Sequence, residues 1–240
     1  MGIRTKISKA IQLRRSDERG RTELDWLDSR HTFSFGDYSD PKHMEFRSLR
    51  VINDDRVSPG GGFGTHPHRD MEIITYVIEG ELEHKDSLGT GSVIRPGDLQ
   101  KMSAGTGIMH SEFNPSQKDP VHLLQIWIIP EKNGLKPVYQ QISLKNKKVA
   151  GLTLVGSRRP KDGVIHIQQD VELFLGRFEA GRKEVYSVSS QRGVWLQLIK
   201  GELDVNGQVM SAGDGLAVEE TLGLILEARA DAEFLLFDLG

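Results

Sequence analysis

The sequence predicts an all-β protein made of two tandem barrels or sandwiches, and three observations carry that expectation. Short apolar stretches bounded by Gly, Pro, Asn and Asp recur along the whole chain, while no segment sustains a helical stripe. Glycine, at 26 of 240 residues, exceeds the usual share of about 7% and points to many tight turns. The segment Val77-Ile-Glu-Gly80-Glu-Leu-Glu83 returns as Leu198-Ile-Lys-Gly201-Glu-Leu-Asp204, an offset of 121 residues, and Pro96-Gly97-Asp98 has a counterpart in Ala212-Gly213-Asp214. Ordered matches of this kind mark a duplicated domain.

Along the chain, His31-Thr-Phe33-Ser-Phe35 alternates as a half-buried strand does. Leu49–Ile52 reads as a strand entering a turn at Asn53-Asp54-Asp55, and Ile73–Ile78 as a strand ended by Gly80. Asp86–Gly89 and Arg95–Asp98 are hairpin turns, and Leu123–Ile129 is a strand stopped at Pro130. The polar stretch Glu131–Pro137 and the basic run Lys145–Lys148 read as a connector, after which strands resume at Leu152 and close with Phe234–Asp238. This division predicts an N-terminal domain over 1–135, a connector over 136–148 and a C-terminal domain over 149–240. Arg4, Lys6, Lys9, Arg14 and Arg15 read as a solvated end.

The charge balance, 31 basic against 34 acidic side chains, offers no global footprint for nucleic acid, so direct nucleic-acid binding is not expected. No apolar run approaches the roughly 20 residues that cross a bilayer, and the basic start lacks the apolar core of a signal peptide. A cytoplasmic protein without a membrane partner is the expectation. There is no cysteine, so thiolate nucleophiles, disulfides and Cys-type metal sites are excluded, and any metal must be held by His, Asp or Glu.

Seven of the eight histidines, all but His166, lie at or before position 122. His66-Pro-His68 on a strand puts two imidazoles on one face, and His110-Ser-Glu112 does the same with an imidazole and a carboxylate. Facing one another, the two pairs make a four-donor site suited to Fe(II), Mn, Ni, Cu(II) or Zn, with coordination positions left open for chemistry. The glycine-rich approach Gly60–Gly64 lets backbone bend close to an ion or ligand. Ile74 and Met109 are expected to line the pocket. Structural or exposed roles are expected for His43, His84 and His122, and a packed, hydrogen-bonded role for His31.

Gly60-x5-His66-x-His68-x3-Glu72 resembles the first cupin motif, and Gly107-x2-His110-x3-Asn114 the end of the second. More specifically, Trp26-Leu-Asp-Ser-Arg-His31, Leu49-Arg-Val-Ile-Asn-Asp-Asp55, His66-Pro-His68-Arg-Asp-Met-Glu72 and Met102-Ser-Ala-Gly-Thr-Gly107-Ile-Met-His110-Ser-Glu112 resemble the pirin family. The resemblance implies a bicupin of two double-stranded β-helix barrels, with a single divalent metal, Fe(II) first and Cu, Mn, Ni, Co or Zn compatible. It places the ligands at His66, His68, His110 and Glu112, with Glu112 also the catalytic carboxylate. Glu72, at the usual cupin glutamate position, competes with Glu112.

It also implies a degenerate C-terminal cupin without metal ligands, and the 121-residue offset of the repeat puts Ser187 opposite His66 and Ser189 opposite His68. Pirins divide between quercetin 2,3-dioxygenases, which take a flavonol and O2, and iron-binding co-regulators of transcription that act on protein partners. The enzyme is the preferred reading, because it uses the open metal positions. Another metal-dependent small-molecule cupin is a third reading, since the fold hosts many functions.

Overall fold

The segment Glu72–Glu79 is buried along nearly its whole length, so it needs apolar cover on both faces. In the computed structural model, which describes residues 11–145 and 151–240, that cover comes from two directions. Ile73 and Val77 point into the first barrel, where Val77 packs with Leu27, Val57, Leu82 and Leu123. Ile74, Tyr76 and Ile78 point the other way, into a core shared with Leu173, Leu175, Trp195 and Phe237 of the second half. Arg4, Lys6, Lys9, Lys147 and Lys148 lie outside the described residues.

Among the described residues each half is a seven-stranded sheet facing a four-stranded one, which is the bicupin all-β architecture. The first large sheet runs, edge to edge, Val138–Ser143, Asp98–Ser103, Glu72–Glu79, Val121–Ile128, Leu49–Val57, Leu27–His31 and Gly20–Leu24. Its small sheet runs Gly62–His68, Ile108–Phe113, Leu82–Asp86 and Gly91–Ile94. In the second half the large sheet is Ile11–Arg14, Gly215–Val218, Gly193–Lys200, Ala232–Leu239, Val171–Phe178, Gly151–Ser157 and Ile165–His166. The facing small sheet is Lys183–Ser187, Gly223–Ala228, Glu202–Val205 and Gln208–Ser211.

The two large sheets share one apolar core, in which Trp195 meets Phe33 at 4.9 Å and Phe46 at 5.7 Å between ring centroids. The repeat has a backbone cause. Gly80 and Gly201 both take left-handed φ, +76° and +82°, and a Cβ at either would run into the neighbouring chain at Pro120 or Asp231.

Four local expectations are corrected. Asn53-Asp54-Asp55 is not a turn but the middle of the strand Leu49–Val57, paired with Leu123, Leu124 and Gln125. Asn53 and Asp54 find partners inside the fold, and that tertiary pairing overrides the turn preference. Asn53 Oδ1, for instance, accepts from His31 Nδ1 at 2.8 Å. The strand expected over His31–Phe35 ends at His31. Beyond it Ser34 N donates to His43 O, and Phe35 bridges Tyr38 around Gly36 at φ +56°.

The stretch read as a connector holds the strand Val138–Ser143, antiparallel to Asp98–Ser103. As a partly exposed edge strand it carries polar residues and no apolar alternation, which is why it reads as a linker. Ile11–Arg14, expected to be part of a solvated end, is an edge strand of the second half's sheet. Arg14 is buried, and Arg15 pairs with Asp214 at 2.9 Å.

Glu72 and Lys101 form a buried ion pair of 3.0 Å, and Gln168 N of the second half donates to the same Glu72 oxygen at 3.2 Å. Removing one member of such a pair strands the other charge. Glu72→Gln should therefore cost about 3–5 kcal/mol of stability while leaving metal content unchanged, as read by urea unfolding and elemental analysis. A folded Glu72→Gln protein that has lost its metal would return Glu72 to the ligand set.

Candidate metal centre

Three strands of the first small sheet bring the donors together by pairing register and by the two-residue period of each strand. His110 lies opposite His66 on one neighbour and opposite Asp86 on the other; Ile108 faces His68 and Glu112 faces His84. A bulge between His110 and Glu112 shifts the register so that Glu112 meets Phe63. The imidazoles of His66, His68 and His110 converge with centroids 4.4–4.9 Å apart.

Donor atoms of His66, His68 and His110 all lie within 4.8 Å of one another, as do those of His84, His110 and Glu112. The four expected donors thus fall into two overlapping groups joined at His110. His84 is a candidate donor that sequence reasoning missed. The signal was available as the alternation Leu82, His84, Asp86, three inward positions whose outward neighbours are Glu83 and Lys85.

These residues fit a metal, and the unpaired nitrogens are the test. His110 is 2% exposed, yet neither of its ring nitrogens has a hydrogen-bond partner; His84 Nδ1 and Glu112 Oε1 are likewise buried and unpaired. Buried polar atoms without partners are costly unless something else satisfies them, and a cation would take up one donor atom of each residue in such a group. The tautomers agree. His66 Nδ1 donates to Gly64 O at 2.8 Å and His84 Nε2 to Asp86 Oδ2 at 3.1 Å, leaving His66 Nε2 and His84 Nδ1 with free lone pairs.

Electrostatics keeps His68 and His110 in the neutral form a metal requires. Burial, followed by the neighbouring histidines, lowers His110 to about 2, and burial followed by His66 lowers His68 to about 4. The carboxyls move the opposite way. Glu112 is pushed up to about 7 by burial and then by the charge of Asp55, against the hydrogen bond that Gln125 Nε2 donates to its Oε2 at 2.8 Å. Asp55 itself is raised to about 7 by burial. Thr75 Oγ1 donates to Gln125 Oε1 at 3.1 Å and so holds the amide in that orientation.

The histidines open on a cavity of about 110 Å³ walled by Leu27, Phe35, Phe63 and Trp127, with His31 and Asp55 on its polar side. His31 is packed and hydrogen-bonded as expected, to Asn53 and to Thr22 Oγ1 at 2.8 Å, and burial lowers its pKa. Ile74 and Met109 do not line the cavity. Strand parity turns Ile74 into the core between the halves, and Met109 is 43% exposed. His122 binds Asp54 on the other side of the large sheet, and His43 lies 3.9 Å from Asp40. Glu72 is taken up by Lys101.

In the second half Ser187 ends the strand Lys183–Ser187, which pairs with Gly223–Ala228 as Gly62–His68 pairs with Ile108–Phe113. Ser187 and Ser189 are exposed. Replacing both by alanine should leave metal content and turnover unchanged within error, and a folded double variant without metal would show that the second barrel supplies ligands.

The chain matches the family described as Pirin over residues 12–128 and the one described as Quercetinase C-terminal cupin domain over residues 154–239. It is 48% identical over 229 residues to the quercetin 2,3-dioxygenase of Escherichia coli, a match covering 95% of this chain and 98% of that protein. The crystal structure of the bacterial pirin YhhW from Escherichia coli in complex with nickel(II) aligns at a TM-score of 0.92 and 48% identity, over 95% of this chain and 98% of that one. A quercetin 2,3-dioxygenase from Acinetobacter baumannii shares the fold, with a TM-score of 0.77 at 21% identity over 96% of this chain and 86% of that one.

Proposed function

The chain belongs to the pirin family, and from that premise we propose that it is a metal-dependent dioxygenase that opens the heterocyclic ring of flavonols such as quercetin, consuming O2 and releasing CO. The observation that carries the reading is His110, a buried imidazole with both nitrogens unpaired, between two further imidazoles and a carboxyl at the end of an apolar cavity. The names of the relatives support the substrate class. A divalent metal held by His66, His68 and His110, with Glu112 as fourth ligand or as the base beside it, supplies Lewis acidity toward the flavonol 3-hydroxyl and 4-carbonyl and a centre for reaction with O2. We assign Fe(II) first; the nitrogen-rich donor set also accepts Cu, Mn, Ni, Co and Zn.

The remaining work falls to the chain. Glu112 Oε1 takes the 3-hydroxyl proton, and burial and the charge of Asp55, which raise its pKa in the metal-free site, make it more basic than an ordinary carboxylate. Gln125, fixed by Thr75, keeps that oxygen turned to the cavity, and Trp127, Phe63 and Phe35 exclude water from it. Trp127 stacks edge-on against His68 at 5.0 Å and limits how that ring can turn.

One observation favours a second reading, a metal-dependent cupin for a smaller substrate. The cavity is about 110 Å³, whereas pockets that bury drug-sized ligands measure roughly 300–1,000 Å³. Under the dioxygenase reading the cavity takes only the reactive edge of the flavonol. The test loads the protein with Fe(II) without oxygen, adds the flavonol and then admits air. Flavonol absorbance should bleach only after air enters and only with loaded protein; unchanged absorbance would leave the smaller-substrate reading.

A further inference from the structure

We propose that a cleft between the two halves, on the far side of the strand Leu49–Val57 from the metal cavity, binds a small oxyanion such as phosphate or a carboxylate. Strand parity separates the two sites. Asn53 and Asp55 line the metal cavity, while Asp54 and Arg56 turn to a cleft of about 390 Å³ whose walls also include Arg19, Arg30 and His122 from the first half and Gly213 from the second.

The cleft holds more positive charge than its own carboxylates satisfy. Three donors share the single Asp54 carboxylate: Arg19 Nη2 at 3.1 Å, Arg56 Nη1 at 3.2 Å and His122 Nε2 at 2.6 Å. Arg30 has only a 3.6 Å contact with Asp28, which already binds Arg21 at 3.1 Å. Among the described residues the one further acid lining the cleft is Asp17, so three guanidinium groups stand there against two carboxylates. Arg19 is the most telling. Its side chain is 4% exposed and its Nη1 has no hydrogen-bond partner, an arrangement that is expensive for a buried cation. Burial lowers its pKa against the opposing pull of Asp54, and the charges of Arg30 and Arg56 add to the lowering.

An oxyanion supplies what is missing: negative charge among three guanidinium groups and acceptor oxygens in the planar geometry that arginine recognises. Because Gly213 and Ile199 come from the second half, the bound anion would also tie the two halves together.

The test is calorimetric titration of the full-length, metal-loaded protein with inorganic phosphate and, separately, with malonate, in chloride buffer at constant ionic strength. Saturable binding of at least one of the two anions at one site per chain is expected. Arg30→Gln with Arg56→Gln should weaken it about tenfold or more, the loss of a charge-assisted contact. Both side chains are partly exposed, and retained metal content and circular dichroism certify the fold. A control pair elsewhere on the surface, Arg182→Gln with Arg229→Gln, should bind as the wild type does. Retention of binding in His66→Ala/His110→Ala separates this site from the metal cavity. Absence of binding by both anions, equal affinity in the Arg30/Arg56 variant, or an equal loss in the control pair would each overturn the proposal.

Discussion

Replacing His66 and His110 together by alanine is expected to reduce bound metal from about one ion per chain to nearly none. The two residues face each other directly across paired strands, and His110 belongs to both donor groups, so the change breaks each of them at once. His68 alone, or His84 with Glu112, then lacks the number of ligands that holds a transition metal against buffer. The fold should survive. His110 has no hydrogen bond to lose, and the expected cost is that of ordinary buried substitutions, about 1–3 kcal/mol. Elemental analysis of the purified variant beside its thermal unfolding checks both statements. Full metal retention, or two tightly bound ions per wild-type chain, would contradict the site.

Glu112→Gln should separate catalysis from metal binding. The amide has a single oxygen to share between the metal and Gln125 Nε2, and it has neither charge nor basicity, so turnover should fall by ~100-fold or more while the three imidazoles retain much of the metal. A pH signature accompanies it. At pH 6 the wild-type carboxyl, raised to about 7, carries a proton that metal must displace, and at pH 8 it does not. Wild-type metal affinity should therefore increase from pH 6 to pH 8, and Glu112→Gln should lose that part of the increase. Turnover at the wild-type rate with equal metal would move the base to Asp55, which shares the cavity and is also raised to about 7.

The sequence is most legible where one strand supplies its own signal. His66 with His68, and His110 with Glu112, are local pairs whose two-residue spacing already puts them on one face. The division into two β halves was likewise readable from Gly80 and Gly201, because each sits where only a glycine backbone fits. What escaped depends on pairing between distant segments. Asn53-Asp54-Asp55 looks like a turn until His31, Arg19 and His122 are placed around it. Glu72 and Glu112 both offer a carboxylate in the sequence, where the family resemblance favours Glu112, but the arrival of Lys101 and Gln168 at Glu72 is announced by no local pattern. Ile11–Arg14 leaves its own half to pair with Gly215–Val218, a partner some 200 residues away that no local pattern announces.

The measurement that bears most directly on the central claim is the yield of CO from wild-type protein, loaded with Fe(II) and turning over a flavonol in air. Ring opening at this centre requires CO in equimolar amount to flavonol consumed, with no CO from the metal-free protein or from His66→Ala/His110→Ala. Flavonol that disappears without CO, or CO released equally by protein that holds no metal, would contradict it.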